Sequence, residues 1–204
     1  MNNIKNTIGW ADYSWNPIVG CRKGCYYCYA KAMNDRFKFI PDFSKPQFFP
    51  ERLLEPAKLK KPSKIFVCSM GEIFDGEPDD VMKIIRVAKD NPQHTFMFLT
   101  QHPNRYRLFY FPDNCMLGVT ITKDTALNSA QYDWLTCGNL NNKKFISIEP
   151  IMGDFSGFIF DGIDLVIIGA MTGPKAKPTQ KEWIESVKHH NIFYKESAKR
   201  FLQI

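Results

Sequence analysis

Six short apolar runs, separated by stretches with helical character, constrain the fold of this chain most strongly. The runs are rich in β-branched and aromatic residues and nearly continuous in their apolar character, which is typical of strands buried on both faces of a parallel sheet. They lie at residues 64–70, 95–100, 116–122, 144–149, 164–169 and 192–195.

The segments between these runs indicate helices. Residues 78–89 begin with proline and acidic residues and end with basic ones, and their apolar side chains fall on one face. Residues 29–37, 124–136 and 179–189 are three more predicted helices. Residues 40–62 are rich in proline and aromatic side chains and resist assignment, and an irregular segment of this length is often functional.

This alternation predicts one α/β domain over residues 1–204. A complete eight-stranded barrel typically needs ~250 residues, so a partial, open parallel β/α barrel of about six strands fits the length better. An open doubly wound sheet is the alternative. Both architectures place ligands at the carboxyl ends of the strands, and the residues there become the candidates for chemistry.

Composition bounds the class of protein. The chain is 44% hydrophobic and 24% charged, as in an ordinary globular protein. No apolar run approaches the ~20 residues needed to cross a bilayer, and the first nine residues lack the apolar stretch of a signal peptide. We therefore expect a cytoplasmic protein without a membrane partner. The net charge of +6 is compatible with nucleic acid as a partner but does not require it.

Three cysteines within eight residues are the most specific motif in the chain. Cys21, Cys25 and Cys28 follow the spacing C-x3-C-x2-C. Three thiolates this close suit a metal centre that keeps one coordination position free. A [4Fe–4S] cluster held by four thiolates is complete, whereas one held by three leaves an iron open. A disulfide is disfavoured in a reducing cytoplasm.

Other interpretations of the cysteines remain open. Structural zinc takes four ligands, and a zinc site here would have to borrow Cys68. A catalytic nucleophile needs one thiol and a base, and an electron carrier would use a fourth clustered cysteine. We expect Cys68 to be buried in a strand, and Cys115 and Cys137 to be small apolar fillers.

Small, hydroxyl-bearing and charged residues gather where the apolar runs end. If the strands are parallel, these residues share one end of the barrel and predict a ligand site there. Taken singly, each also has a structural explanation as a cap, a strand terminus or a solvated side chain. They include Ser69, Gly71, Glu72, Gln101, His102, Thr120, Thr122, Ser147, Glu149, Gly169, Gly173 and Lys195.

The cysteine spacing and the β/α alternation together resemble the radical S-adenosylmethionine (radical SAM) superfamily. The resemblance implies that the three cysteines bind a [4Fe–4S] cluster and that S-adenosylmethionine chelates the open iron. An electron from the cluster would then yield a 5′-deoxyadenosyl radical, which abstracts hydrogen from substrate. The resemblance also implies that Tyr27 lies against the adenine and that an external donor of flavodoxin or ferredoxin type supplies the electron.

Over nearly its whole length the chain is similar to a phage-associated branch of radical SAM-like proteins. The similar stretches are residues 8–21, 66–74, 94–96, 99–100, 118–119, 147–150 and 193–195, with Gly169 and Gly173-Pro174. The sequence departs from that branch at Gln101-His102, Thr122 and Ala170-Met171. These changes leave the cysteine motif intact but fall at the carboxyl end of the predicted barrel.

The resemblance therefore implies an enzyme that abstracts hydrogen and then rearranges, isomerises or otherwise modifies its substrate. A nucleobase in phage DNA, in the host cytoplasm, is the leading hypothesis, and a small molecule or peptide is the alternative. Ser69, Gly71 and Glu72 are candidates for the methionine moiety of the cofactor, and Gly169 to Gly173 for the adenine. Thr120, Thr122 and Glu149 are candidates for ribose and substrate contacts, and Lys195 for a substrate anion. Glu149 and Lys195 are the candidate catalytic residues. We expect Trp10 and Trp15 to pack in the core.

Overall fold

Ten strands and five α-helices are present in the computed structural model, which describes residues 1–137, 140–173 and 176–202. The strands are β1 (Asn2–Asn3), β2 (Tyr13–Trp15), β3 (Ile18–Val19), β4 (Gln47–Phe48), β5 (Lys64–Val67), β6 (Thr95–Thr100), β7 (Cys115–Ile121), β8 (Lys144–Ile148), β9 (Leu165–Ile168) and β10 (Ile192–Tyr194). The helices are α1 (Tyr29–Phe37), α2 (Pro78–Asp90), α3 (Ala126–Thr136), α4 (Lys181–Ser186) and α5 (Glu196–Leu202).

Eight of these strands form one sheet in the order β1-β2-β5-β6-β7-β8-β9-β10. Seven of them, from β2 to β10 in that order, are mutually parallel, and β1 pairs with β2 in the antiparallel sense. All six predicted strands are present, which confirms the α/β class. The prediction of about six strands was too low, because β1 and β2 are too short and too polar to be recognised as apolar runs.

The helices α2, α3, α4 and α5 cover one face of the sheet. Their buried apolar residues belong to a single large apolar cluster with one alternating set of strand residues. The other set of strand residues, which we call the inner face, includes Phe66, Met97, Phe145 and Ile167. A doubly wound sheet would carry helices on both faces, so the architecture is that of an open barrel.

The N-terminal segment, residues 4–11, packs against the inner face. The ring of Trp10 lies 4.6 Å from that of Phe66 in β5, and a Cβ at Gly9 would lie 2.8 Å from the ring of Phe193 in β10. In a flat sheet β5 and β10 would be roughly 24 Å apart, which is five strand spacings. Contact of two adjacent residues with both strands shows that the sheet curls into a half-barrel, and it confirms that Trp10 packs in the core.

Residues 40–62, which the sequence leaves unassigned, contain β4 and two short 3₁₀ helices that each begin at a proline, Pro50–Leu54 and Pro56–Lys58. Trp15 lies beneath this segment, fully buried, and its indole N–H donates to the Arg52 carbonyl at 2.8 Å. The segment therefore covers the start of the sheet, and the packing role expected for Trp15 is confirmed.

The helix predictions hold to different degrees. The bounds of α1 agree with the prediction, and those of α2 differ by one residue. The Thr125 hydroxyl accepts a hydrogen bond from the Asn128 amide, which starts α3 two residues later than predicted. The fourth helix, α4, has only six residues. Within the described ranges the longest helix, α2, has 13 residues, and none could cross a membrane.

Candidate functional site

The loop that carries the three cysteines joins β3 to α1 and lies at the carboxyl ends of the parallel strands. Gly20 pairs with Gly71, which follows β5, and the Glu72 amide donates to the Gly20 carbonyl at 3.0 Å. A Cβ at Gly71 would lie 2.7 Å from the Gly20 oxygen. The loop approaches so closely that only glycine fits at position 71. Gly71, which was predicted to contact the cofactor, thus has a structural reason to be glycine.

The three thiols are free and half-buried, and each accepts a hydrogen bond. The Cys21 Sγ accepts from the Lys23 amide at 3.4 Å, and the Cys28 Sγ accepts from the Lys31 amide at 3.4 Å, so that Cys28 caps α1. The Cys25 Sγ accepts from the Gln101 side chain at 3.8 Å. This last contact turns the middle cysteine toward the end of β6.

Burial raises the pKa of the Cys21 thiol to about 11 and also raises the pKa of Cys28. Without a metal, these thiols are therefore protonated at neutral pH. Thiolates are the metal-binding form, so metal binding at this loop would release protons.

The thiols have the chemistry of iron–sulfur ligands. Among the described residues, no three His, Cys, Asp or Glu side chains converge on one point in the way that ligands of a single ion do. A [4Fe–4S] cluster has a different demand, because each thiolate binds a separate iron. Cys21, Cys25 and Cys28 are free, half-buried thiols on one loop and so are of the ligand type that such a cluster uses.

The zinc alternative would require Cys68 as a fourth ligand. Cys68 belongs to the large cluster under the helices, where burial raises the pKa of its thiol to about 12. That cluster contains neither Cys21, Cys25 nor Cys28. A closed zinc site that borrows Cys68 is therefore poorly supported by this arrangement.

The predictions for the other two cysteines have different outcomes. Cys115 is fully buried in β7 and confirms the expectation of an apolar filler. Cys137 contradicts it: this residue is exposed because it forms the carboxyl-terminal cap of α3 at the surface.

Polar side chains line the inner face next to the cysteine loop, and we call this region the mouth. Thr120 in β7 is the register partner of Ser147 in β8, and both belong to the same alternating set as Phe145. Ser147 is buried and its hydroxyl has no partner within the described structure. The mouth consists of Gln101, Thr120, Ser147, Glu149, Gly169 and Lys195.

The structure brings together Glu149 and Lys195, the two predicted catalytic residues. The Lys195 ammonium donates to the Glu149 carboxylate, and the side chains of Lys195 and Glu149 remain 20% and 30% exposed, respectively. Gly169 makes room for this pair, because a Cβ there would lie 3.1 Å from the Glu149 carboxyl carbon. The charge of Glu149 is thus balanced by Lys195 at an open position in the mouth.

Tyr26 of the cysteine loop and Tyr29 at the start of α1 contact residues beside the mouth. The Tyr29 hydroxyl donates to the Ser69 carbonyl, and burial of this hydroxyl together with the nearby Glu149 carboxylate raises the pKa of Tyr29, although the side chain as a whole is half exposed. The Tyr26 hydroxyl lies 3.5 Å from the Met152 sulfur. Sequence reasoning missed Tyr29, and the only signal for it was its position directly after the third cysteine.

Tyr27, the predicted adenine contact, is half-buried within the loop. Burial and the neighbouring Cys25 raise the pKa of its hydroxyl, and its ring meets Tyr26 edge to face at 5.0 Å. The Tyr27 hydroxyl is therefore close to the Cys25 thiol.

Glu72 is buried and its carboxylate is occupied by three donors. It accepts from the Thr100 hydroxyl at 2.6 Å, from the Gln101 amide at 3.1 Å and from the Phe74 amide at 3.3 Å. Burial raises the pKa of this carboxyl. Glu72 thereby ties the end of β5 to the end of β6 and fixes the backbone of Gln101.

Ser69 also has a partner inside the protein. Its hydroxyl donates to the Asn16 side-chain oxygen at 3.1 Å, and the same oxygen accepts from the Met70 amide at 2.8 Å. All three predicted methionine contacts, Ser69, Gly71 and Glu72, thus have structural roles beside the cysteine loop. Asn16 was not among the predicted site residues.

The remaining predicted residues lie around the rim. Thr122 is half-buried, and its carbonyl accepts from the Met152 amide at 2.7 Å. Gly173 is exposed with φ +97 and has open space around it, so no contact with the mouth is seen there. Pro174 lies outside the described residues.

A cavity lies at the opposite end of the half-barrel. Its volume is about 750 Å³, and it is lined by the N-terminal segment and by residues at the amino ends of the strands, among them Lys64, Thr95 and Met116. The cysteines and the Glu149–Lys195 pair, which are the groups that could carry out chemistry, lie at the carboxyl ends of the strands. The mouth, rather than this cavity, is therefore the candidate active site.

A family model described as "Protein of unknown function (DUF5131)" matches residues 5–197, which is nearly the entire chain. No curated protein and no solved structure matches the sequence.

Proposed function

The chain belongs to the DUF5131 family, and we propose that it is a radical SAM enzyme whose substrate is a nucleobase in DNA. One observation carries the proposal. Three half-buried free thiols lie on a single loop at the carboxyl ends of a parallel half-barrel, and the middle thiol contacts Gln101 of the mouth.

Cys21, Cys25 and Cys28 would hold a [4Fe–4S] cluster by three irons and leave the fourth open to S-adenosylmethionine. With both cofactors bound and an electron from a flavodoxin- or ferredoxin-type donor, such a site would supply radical chemistry that abstracts hydrogen from the substrate. Beside this site, the Tyr26 and Tyr29 hydroxyls contact Met152 and Ser69.

Tyr27 would pack against the adenine. Thr120 and Ser147, side by side on the inner face, offer hydroxyls to the ribose or the substrate. The unpaired, buried hydroxyl of Ser147 supports this role, since a buried polar group without a partner is costly.

The Glu149–Lys195 pair would handle substrate charge and protons. The Lys195 ammonium can bind a substrate anion while Glu149 Oε1 holds the hydrogen bond that orients it. Because the pair is partly exposed at the mouth, a substrate group bound over Gly169 would be within reach of the ammonium proton.

A DNA nucleobase is the proposed substrate, and rearrangement or isomerisation is the proposed outcome. The net charge of +6 supports an anionic partner. The base would have to be flipped out or already unpaired to reach the mouth. DNA retention that falls steeply with salt would support this substrate, whereas a small molecule or peptide substrate predicts no DNA affinity even at low salt.

The proposal is tested by purifying the protein without oxygen, counting iron and sulfide, and measuring 5′-deoxyadenosine after adding reductant and S-adenosylmethionine. We expect four irons and four sulfides per chain, about the content of one cluster, and cofactor cleavage. Cys25→Ala should abolish both, whereas Cys137→Ala, a matched change at an exposed cysteine, should abolish neither. Bound zinc in place of iron, or an intact cluster without cleavage, would refute the enzyme proposal.

A further inference from the structure

Helix α1 exposes a row of large apolar side chains beside the cysteine loop. Tyr29, Met33 and Phe37 follow one another at four-residue steps and so share one face of the helix. Tyr26 precedes this row and Phe39 follows it. We call these five residues the α1 stripe. Their exposed fractions are 55% for Tyr26, 50% for Tyr29, 40% for Met33, 54% for Phe37 and 48% for Phe39.

The side of α1 next to the stripe, with Ala30 and Asn34, is buried and holds the helix to the protein. The stripe is therefore not the face that holds the helix to the protein. Contiguous exposed apolar surface of this kind marks an interaction site, and four of the five side chains are aromatic.

Positive charge is concentrated around the stripe. Residues 20–45 contain six basic and two acidic side chains and so hold four of the six net positive charges of the chain. The Arg36 guanidinium lies 4.9 Å from the centre of the Phe37 ring, and the Lys177 ammonium lies 5.4 Å from that of Tyr26. An anionic partner would therefore match the charge around the stripe.

Aromatic rings interleaved with basic side chains suit a polynucleotide whose bases are unpaired. Four residues of helix advance by about 6 Å, whereas bases within one strand of a duplex are about 3.4 Å apart. Bases that match the stripe must therefore be spread more widely than in a duplex.

From these observations we propose that the α1 stripe binds an unpaired segment of a polynucleotide, with bases against the aromatic rings and phosphates beside the basic side chains. Since Cys28 caps α1, a strand on the stripe runs to the cysteine loop and presents a nucleotide at the mouth. The delivery of that nucleotide for chemistry rests on the proposed function, but binding to the stripe does not.

Binding is measured by fluorescence anisotropy with a labelled oligothymidylate. The double variant Met33→Ser/Phe37→Ser should bind about tenfold more weakly, since loss of base stacking has an effect of that order. The control is Leu108→Ser/Tyr110→Ser, which removes residues 73% and 82% exposed on another surface and should bind like the unaltered protein. Replacing Arg36 and Lys38 by Gln should lower the salt dependence, by a slope of about one for each phosphate that is no longer neutralised.

Three results would overturn the stripe proposal. The first is equal affinity in the stripe and control variants, and the second is tighter binding of a duplex than of the single strand. The third is stripe-dependent binding of an acidic flavodoxin together with no binding of the oligonucleotide. Thermal melting of each variant checks that it is folded. Cleavage of S-adenosylmethionine in the absence of substrate separates the two proposals. This cleavage should persist in the stripe variants, and it fails only if the enzyme proposal is wrong.

Discussion

At the scale of single residues, the two glycines that meet below the cysteine loop decide where that loop lies. Gly20 has φ +110, a left-handed conformation that side chains disfavour, and Gly71 lies against its backbone. Any other residue at position 71 would place a Cβ 2.7 Å from the Gly20 carbonyl oxygen. The end of β5 and the cysteine loop could then not keep their hydrogen bonds. The position of all three thiols relative to the mouth therefore depends on two residues that carry no functional group.

We expect Gly71→Ala to destabilise the protein by about 1–3 kcal/mol, the usual cost of overpacking, and to lower the iron bound per chain. The control is Gly157→Ala, where a Cβ has open space and φ is not left-handed, and where the change should be neutral or slightly stabilising. Urea unfolding and iron analysis measure both effects. Equal stability and equal iron content in the two variants would show that the Gly20–Gly71 contact does not position the loop.

At the scale of elements, the N-terminal segment stabilises the inner face of the half-barrel. Trp10 is 5% exposed and packs on Phe66 and Phe145, while its indole N–H has no partner within the described structure. Its contribution is therefore apolar packing. Trp10→Ala should cost about 3–5 kcal/mol in the free energy of unfolding, and Trp10→Phe clearly less, as measured by urea unfolding. A destabilisation of Trp10→Phe equal to that of Trp10→Ala would point to an unseen hydrogen bond.

Elements were predictable from sequence where the signal is local. The strands from β5 to β10 are runs of apolar residues, and α2 has proline at its start and a regular apolar face. Strand β2 has three residues, Tyr13–Trp15, and its place beside β5 comes from pairing across about fifty residues. The same holds in the site: the cysteines are a local motif, whereas the contacts of Tyr29 with Ser69 and of Glu72 with Thr100 join distant parts of the chain.

At the scale of the whole molecule, the half-barrel separates two regions by the direction of its strands. The amino ends and the N-terminal segment surround the large cavity, and the carboxyl ends carry the cysteine loop, the Glu149–Lys195 pair and the α1 stripe. A seven-stranded parallel sheet gathers residues from position 101 to position 195 into the mouth, next to the cysteine loop. The chemistry proposed for this mouth requires a [4Fe–4S] cluster in which one iron has no ligand from the protein.

Electron paramagnetic resonance of the reduced protein tests that requirement most directly. A cluster held by three thiolates has an open iron, so adding S-adenosylmethionine should change the spectrum of the reduced [4Fe–4S] cluster, and Cys25→Ala should show no cluster signal. A [4Fe–4S] signal that S-adenosylmethionine leaves unchanged, or one that persists in Cys25→Ala, would contradict the three-thiolate site.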